Sequence, residues 1–219
     1  MPSPGDEPSS SLQTAFRQIV RDIVEILDYT GAMIATYEPD HSLPMRAFYV
    51  NPAVASTAQI REWELAVSQL MQRSVSIMEP DPDFARVFVN ANEHRANLSV
   101  KAALNREPVV TDDLYTLFGP ILPPVTESIV NRLIQPFVGV KQIVAVPFFI
   151  EISGQESEIV GNLFAGKGET ITAQDIRILS AFGRQAAAAV ELERHRQRVL
   201  QVAHHLTIQM QARIHHEEE

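Results

Sequence analysis

Two adjacent aspartates, two pairs of adjacent histidines and a few aromatic and cationic side chains are the groups in this chain with chemistry to offer. Asp112-Asp113 falls where an apolar stretch ends, so the two carboxylates could hold a cation or accept from a ligand donor. The competing reading is a solvated turn in which one Asp caps backbone N–H groups. His204-His205 and His215-His216 lie in a helical pattern, where neighbours point about 100° apart, so neither pair converges on one metal ion. His205 has Gln209, not a second histidine, at the i+4 position that metal ligation favours. Gly166-Lys-Gly168 is too short for a phosphate-binding loop, and no nucleophile motif stands out. No catalytic residue and no metal ligand set is therefore assigned. Arg132, His94, Tyr49 and Tyr115 are candidates for the directed polar groups of a ligand pocket, with Phe48, Phe148 and Phe164 as walls. For the phenylalanines the plain alternative is core.

These groups are carried by a chain of 219 residues, the length of one domain with extensions. Its 45% apolar content is enough for a core. The net charge of −9 argues against a nucleic-acid surface, which needs clustered Lys and Arg. The absence of cysteine excludes disulfides, thiolate metal sites, cysteine nucleophiles and any cofactor held by a thioether. The longest strongly apolar run, 143–150, is about eight residues and contains Pro147, whereas a membrane helix needs about 20. No membrane insertion and a cytoplasmic setting are expected. Residues 1–10 are acidic and rich in Pro and Ser, so they read as a disordered leader and not as a signal peptide.

The positioning elements follow from periodicity. Leu12, Phe16, Ile19, Val20, Ile23, Ile26 and Leu27 recur every three or four residues and predict an amphipathic helix capped by Ser11 and broken at Gly31. Residues 32–38 and 45–50 predict two strands joined by the turn-forming Pro39-Asp40-His41-Ser42. Ser56 or Thr57 can cap a helix carrying Ile60, Trp63, Val67, Leu70 and Met71. An acidic loop at 79–83, a strand at 84–90, a short helix at 99–106 and a strand at 108–111 follow. Residues 115–124 read as irregular, and 125–135 as a helix that Gly139 ends. Strands at 142–147 and 158–166 precede Thr172 and Asp175, a capping box with Asp in place of the usual Glu. From there a helix of roughly forty residues begins, with Ile176, Leu179, Gly183, Ala186, Ala187 and Val190 on one stripe. The order of elements fits an α+β domain with a mostly antiparallel sheet.

A helix of that length reaches about 60 Å, roughly twice the width of a small domain, so its second half needs another partner. Leu192, Val199 and Leu206 are seven apart, and Val202 sits at a d-like offset. His195 and Gln209 fill the other d-like places. This predicts a short coiled coil with an imperfect seam, and hence a homodimer; the alternative is a fraying tail.

Three stretches carry a family likeness. Gly31-Ala-Met-Ile-Ala-Thr-Tyr-Glu38 after an amphipathic helix resembles the opening strand of a GAF domain, the ligand-sensing module of many signalling proteins. Ala103-Leu-Asn-Arg-Glu-Pro-Val-Val-Thr-Asp-Asp-Leu114 resembles its middle segment. Gly139-Val-Lys-Gln-Ile-Val-Ala-Val-Pro147, with Gly161-Asn-Leu, Ile171-Thr-Ala-Gln-Asp175 and the Ala-rich helix, resembles its closing unit. Together they cover about residues 12–195. The resemblance implies a twisted antiparallel sheet with the first and last helices on one face. The other face would hold a pocket, covered by the segments from about 79 to 138. Bilin-binding members of the family attach the chromophore to a cysteine, so a thioether-linked bilin is excluded here, as is the cysteine-dependent methionine sulfoxide reductase branch. The Asn-Lys-Phe-Asp-Glu signature associated with cyclic-nucleotide binding is absent.

The expectation is thus a leader at 1–10, a GAF-like sensory domain at 11–190 and a helical linker at 191–219. It would be a non-catalytic, dimeric, ligand-sensing module that passes its state along the last helix. The output, a histidine kinase, phosphatase or cyclase, would lie beyond Glu219 or on another chain. A dimerisation scaffold whose pocket is filled by side chains is the alternative, and an enzyme using Asp112 and Asp113 ranks below both.

Overall fold

The computed structural model describes residues 10–71, 87–118, 127–154 and 156–217. The expected leader and the acidic loop at 79–83 lie outside the described residues, apart from Ser10, which opens the first helix.

Helix α1 (Ser10–Leu27) leads through Tyr29 into strands β1 (Gly31–Thr36) and β2 (Met45–Val50). Helix α2 (Thr57–Met71) starts with a reciprocal cap: Gln59 N–H donates to Ser56 Oγ, and Ser56 N–H donates to Gln59 Oε1. Of the strand expected at 84–90, the described part gives a single bridge, Phe88 to Ser42. Helix α3 (Leu98–Asn105), strand β3 (Val109–Thr111) and the one-turn helix α4 (Tyr115–Phe118) follow. The turn of helix at α4 corrects the irregular reading of its segment. Helix α5 is assembled from Glu127–Ile129, a π-helical stretch Val130–Ile134 and a last turn Gln135–Phe137. It ends two residues later than expected. Strands β4 (Gln142–Ile150) and β5 (Glu158–Lys167) then lead into the 45-residue helix α6 (Ala173–Glu217).

The five strands form one sheet in the order β2-β1-β5-β4-β3, with every pairing antiparallel. Helices α1 and α6 pack together on one face. Phe16, Ile19, Val20 and Ile23 of α1 and Leu179, Ala186, Ala187 and Val190 of α6 meet Ala32, Ile34, Val144, Val146, Phe148 and Leu163 of the sheet. Two glycines let this layer close. A Cβ at Gly161 would overlap the Phe148 ring and the Ala35 carbonyl oxygen, and one at Gly183 would stand 3.3 Å from Phe148 Cβ. Helix α3 covers the opposite face, over β4 and β5. Leu98 and Ala102 pack there with Ala35, Leu114, Val130, Ile143, Ala145 and Phe164 in a second core.

Candidate functional site

The α3-side face of the sheet is built by strand alternation. Register places Phe48, Met33, Phe164, Ala145 and Val109 in one row across all five strands. The next row is Ala35, Asn162 and Pro147. Asn162 is a polar member of this surface. It is fully buried, and its Nδ2 donates to the Ser99 carbonyl of α3 at 2.9 Å.

Polar side chains fix the cover on this face. Asn97 caps α3, its Oδ1 accepting from Ser99 N–H at 2.8 Å, while its Nδ2 donates to Leu117 O at 2.9 Å. Gln135 of α5 clamps the loop after β3: its Nε2 donates to Asp112 O at 2.6 Å, and its Oε1 accepts from Leu114 N–H at 3.1 Å. Arg106 lies at the C-terminal cap of α3 with φ of 56°. Its guanidinium stacks 4.8 Å from the Phe149 ring centroid and bonds Ser157 O and Oγ.

The residues expected to line a pocket divide between the two faces. Phe48, Phe164 and Tyr115 belong to the α3 side. Phe148 and Tyr49 do not. Phe148 points with Val144 and Val146 into the α1/α6 layer, and Tyr49 donates to Glu25 of α1 at 2.6 Å. His94 holds its own turn, its Nδ1 accepting from Phe88 N–H at 2.7 Å. Asp113 caps α4, accepting from Tyr115 N–H at 3.0 Å and Asn131 Nδ2 at 2.7 Å, while the Asp112 side chain is exposed. The capping reading is the one the geometry adopts. Arg132 is exposed on the outer side of α5. Among the described residues, no three His, Asp or Glu side chains come together as a metal site would require.

Asn162, Ser99, Asn97 and Gln135 were missed. Asn162 had a readable signal: an asparagine inside the apolar run of a central strand is a buried polar group that needs partners.

Helix α6 has two opposite stripes. Leu179, Gly183, Ala186, Ala187, Val190 and Glu193 are buried on the body. About half a turn away, Ala181, Gln185, Ala188, Leu192, His195, Val199, Val202, Leu206 and Gln209 are all exposed. Leu192 is 70% exposed, Val199 53%, Val202 60% and Leu206 53%. Arg194 ties the helix to the sheet where the body ends, its two terminal nitrogens meeting the Glu158 carboxylate at 2.9 and 3.0 Å. Among the described residues, no helix is long and apolar enough to cross a membrane.

A family model for the GAF domain matches residues 11–190. The chain belongs to the GAF domain family. Solved structures from signalling proteins, GAF domains among them, are similar in fold. A methyl-accepting chemotaxis protein fragment is similar at TM-score 0.51 and 15% identity, over 84% of this chain and 92% of its own. A cyanobacteriochrome GAF domain gives 0.51 and 14%, over 89% and 99%. The GAF domain of a phosphoenolpyruvate-protein phosphotransferase from Coxiella burnetii gives 0.50 and 13%, over 86% and 88%. At these identities the likeness carries the fold. No curated protein sequence matches the chain.

Proposed function

We propose that this GAF domain is a non-catalytic sensory module that works as a parallel homodimer in the cytoplasm. The α3-side face takes a small ligand, and α6 carries the resulting state to an output domain or partner. Residues 11–190 are the sensory body, and 191–219 the linker. The observation that carries this reading is the two-sided helix: one stripe of α6 is buried on the sheet and the opposite stripe presents Leu192, Val199, Val202 and Leu206 to solvent. A stripe apolar at Leu192, Val199, Val202 and Leu206, with His195 and Gln209 as its polar d positions, is what a second copy buries.

Charge supports the parallel pairing. With Leu192, Val199 and Leu206 at a, Glu191 takes a g position and Arg196 the following e position, so each would meet its opposite charge across a parallel, in-register dimer. The seam is continuous with Ala181 and Ala188 on the body, so the interface would begin on the domain itself. The net charge of −9 argues against nucleic acid as partner. A ligand acts through such a dimer only by binding two arrangements of the helix pair with different affinity.

A second reading, a dimerisation module without ligand, is favoured by the complete burial of Phe164, Leu98 and Ala145 against one another on the α3 side. Native mass spectrometry of protein purified from cells, compared with its denatured mass, separates the two. A dimer with an extra mass lost on denaturation supports the sensor. A bare dimer favours the scaffold, and a bare monomer overturns both.

A further inference from the structure

The amide of Asn162 has its orientation fixed by chemistry. The Ser99 carbonyl only accepts, so the nitrogen of Asn162 must face it and the oxygen must point away. That oxygen is buried and, among the described residues, has no hydrogen-bond partner. A buried acceptor left in this state is costly, and native proteins fill such positions. The neighbours in register are Ala35, with a small side chain, and Pro147, which lacks an N–H. Neither side chain can donate. The adjoining row supplies Met33, Phe164 and Ala145, an apolar wall with an aromatic ring.

We propose that Asn162 is the polar anchor of an uncharged, mainly apolar ligand that presents an N–H or O–H donor to its Oδ1. The inference deepens the sensory reading above and rests on it. Charge sets the class. Asp112 and Arg132 are exposed, Asp113 caps α4, and Arg106 is engaged with Phe149, Ser157 and Glu156. A phosphate or carboxylate would meet no counter-charge from these groups. A neutral heteroaromatic N–H, by contrast, matches both the unpaired acceptor and the apolar row.

Binding of a donor has a built-in readout. A hydrogen bond to Oδ1 polarises the amide and strengthens the bond from Nδ2 to Ser99 O, which holds α3 on the sheet. The other end of α3 grips Ser157 through Arg106, and the next residue, Glu158, is gripped by Arg194 of α6. Tightening of α3 is thereby placed two contacts from the output helix.

The test titrates the isotopically labelled full chain with indole and with benzofuran, which has the same shape with an oxygen in place of the N–H, followed by amide NMR shifts. The expected result is that indole binds about tenfold more tightly than benzofuran, the worth of about one hydrogen bond, with the shifts centred on Asn162, Ser99 and Phe164. In Asn162→Leu the preference is lost while both probes still bind. Equal affinity of the two probes in the unsubstituted protein overturns the anchor and leaves the sensory reading standing. Because that comparison uses no variant, a failure of Asn162→Leu to fold does not rescue the idea. A preference that persists in Asn162→Leu, or shifts centred elsewhere, also overturns it. Binding of neither probe up to its solubility overturns the anchor together with the ligand face.

Discussion

The Tyr29 hydroxyl donates to Asp175 Oδ1 at 2.9 Å, joining the segment after α1 to the first turn of α6 across 146 positions of sequence. The same carboxylate accepts from Thr172 N–H at 2.8 Å, Thr172 Oγ1 at 2.6 Å and Lys167 Nζ at 3.2 Å. Lys167 in turn stands 5.5 Å from the Tyr29 ring centroid. One acid thus fastens the segment after α1, β5 and α6 where the last helix begins.

Burial by itself would raise the Asp175 carboxyl, but the bonds from Thr172, Tyr29 and Lys167 outweigh it and hold the group well below the usual carboxylate range. A depressed folded-state value means that the stabilisation is fully present above the unfolded aspartate value. It is lost as pH falls below about 4. Asp175→Asn is expected to lower stability at neutral pH by about 1–2 kcal/mol, the worth of a helix cap with its added bonds. In urea denaturation the gap between variant and parent should narrow steadily in acid; a gap independent of pH would disprove the role.

Gly161→Ala is expected to cost more than about 2 kcal/mol, because the added methyl overlaps both a ring and a backbone oxygen in the α1/α6 layer. Gly154→Ala is the comparison: its φ is 76° in open space, so about 1 kcal/mol of backbone strain is the whole effect. Denaturant midpoints of the two variants should differ in that order.

Gln135→Leu removes both bonds of the clamp and leaves Asp112 O and Leu114 N–H unpaired. The expected loss is about 2 kcal/mol. Hydrogen exchange should rise at Leu114 and Tyr115 before it rises in β4; uniform exchange across both would show that the clamp has no local function.

Val199→Asp with Leu206→Asp places charge on the exposed seam of α6 and leaves the body's core untouched. Light scattering should report a monomer with unchanged circular dichroism of the body. An unaltered dimer mass would remove the distal helix from the interface.

Arg194→Ala breaks a pair whose side chains are 40% and 43% exposed, so the melting temperature should shift little. Its effect should appear in local opening: faster amide exchange at 190–200 with protection elsewhere retained.

The helices and strands were legible because their apolar spacing is regular. Phe16 to Ile23 and Leu179 to Val190 keep a 3.6-residue period that solvent on one side enforces. Assignment of side chains to faces was not legible in β4, because both faces of that strand are buried. Val144, Val146 and Phe148 on one side and Ile143, Ala145 and Pro147 on the other are equally apolar, so alternation alone does not say which set meets the helices. The irregular registers at Ile34/Ala35 and Phe148/Phe149 shift the alternation further. Arg132 was offered for its chemistry alone, which carries no information on facing, and it stands exposed on α5. Asp113 was read with both of its options open, and Tyr115 N–H and Asn131 took the cap.

Among the described residues, the last side-chain tie from helix α6 to the body is Arg194 to Glu158, and the helix runs on to Glu217. That overhang is roughly 35 Å at 1.5 Å per residue. Pivoting about its base by roughly 5° would swing the far end by about 3 Å, nearly the spacing of two residues along the axis. On the sensory reading proposed above, the helix would be a mechanical amplifier: a displacement at the sheet too small to disturb packing there would become, at the tip, a change large enough to alter which side chains meet.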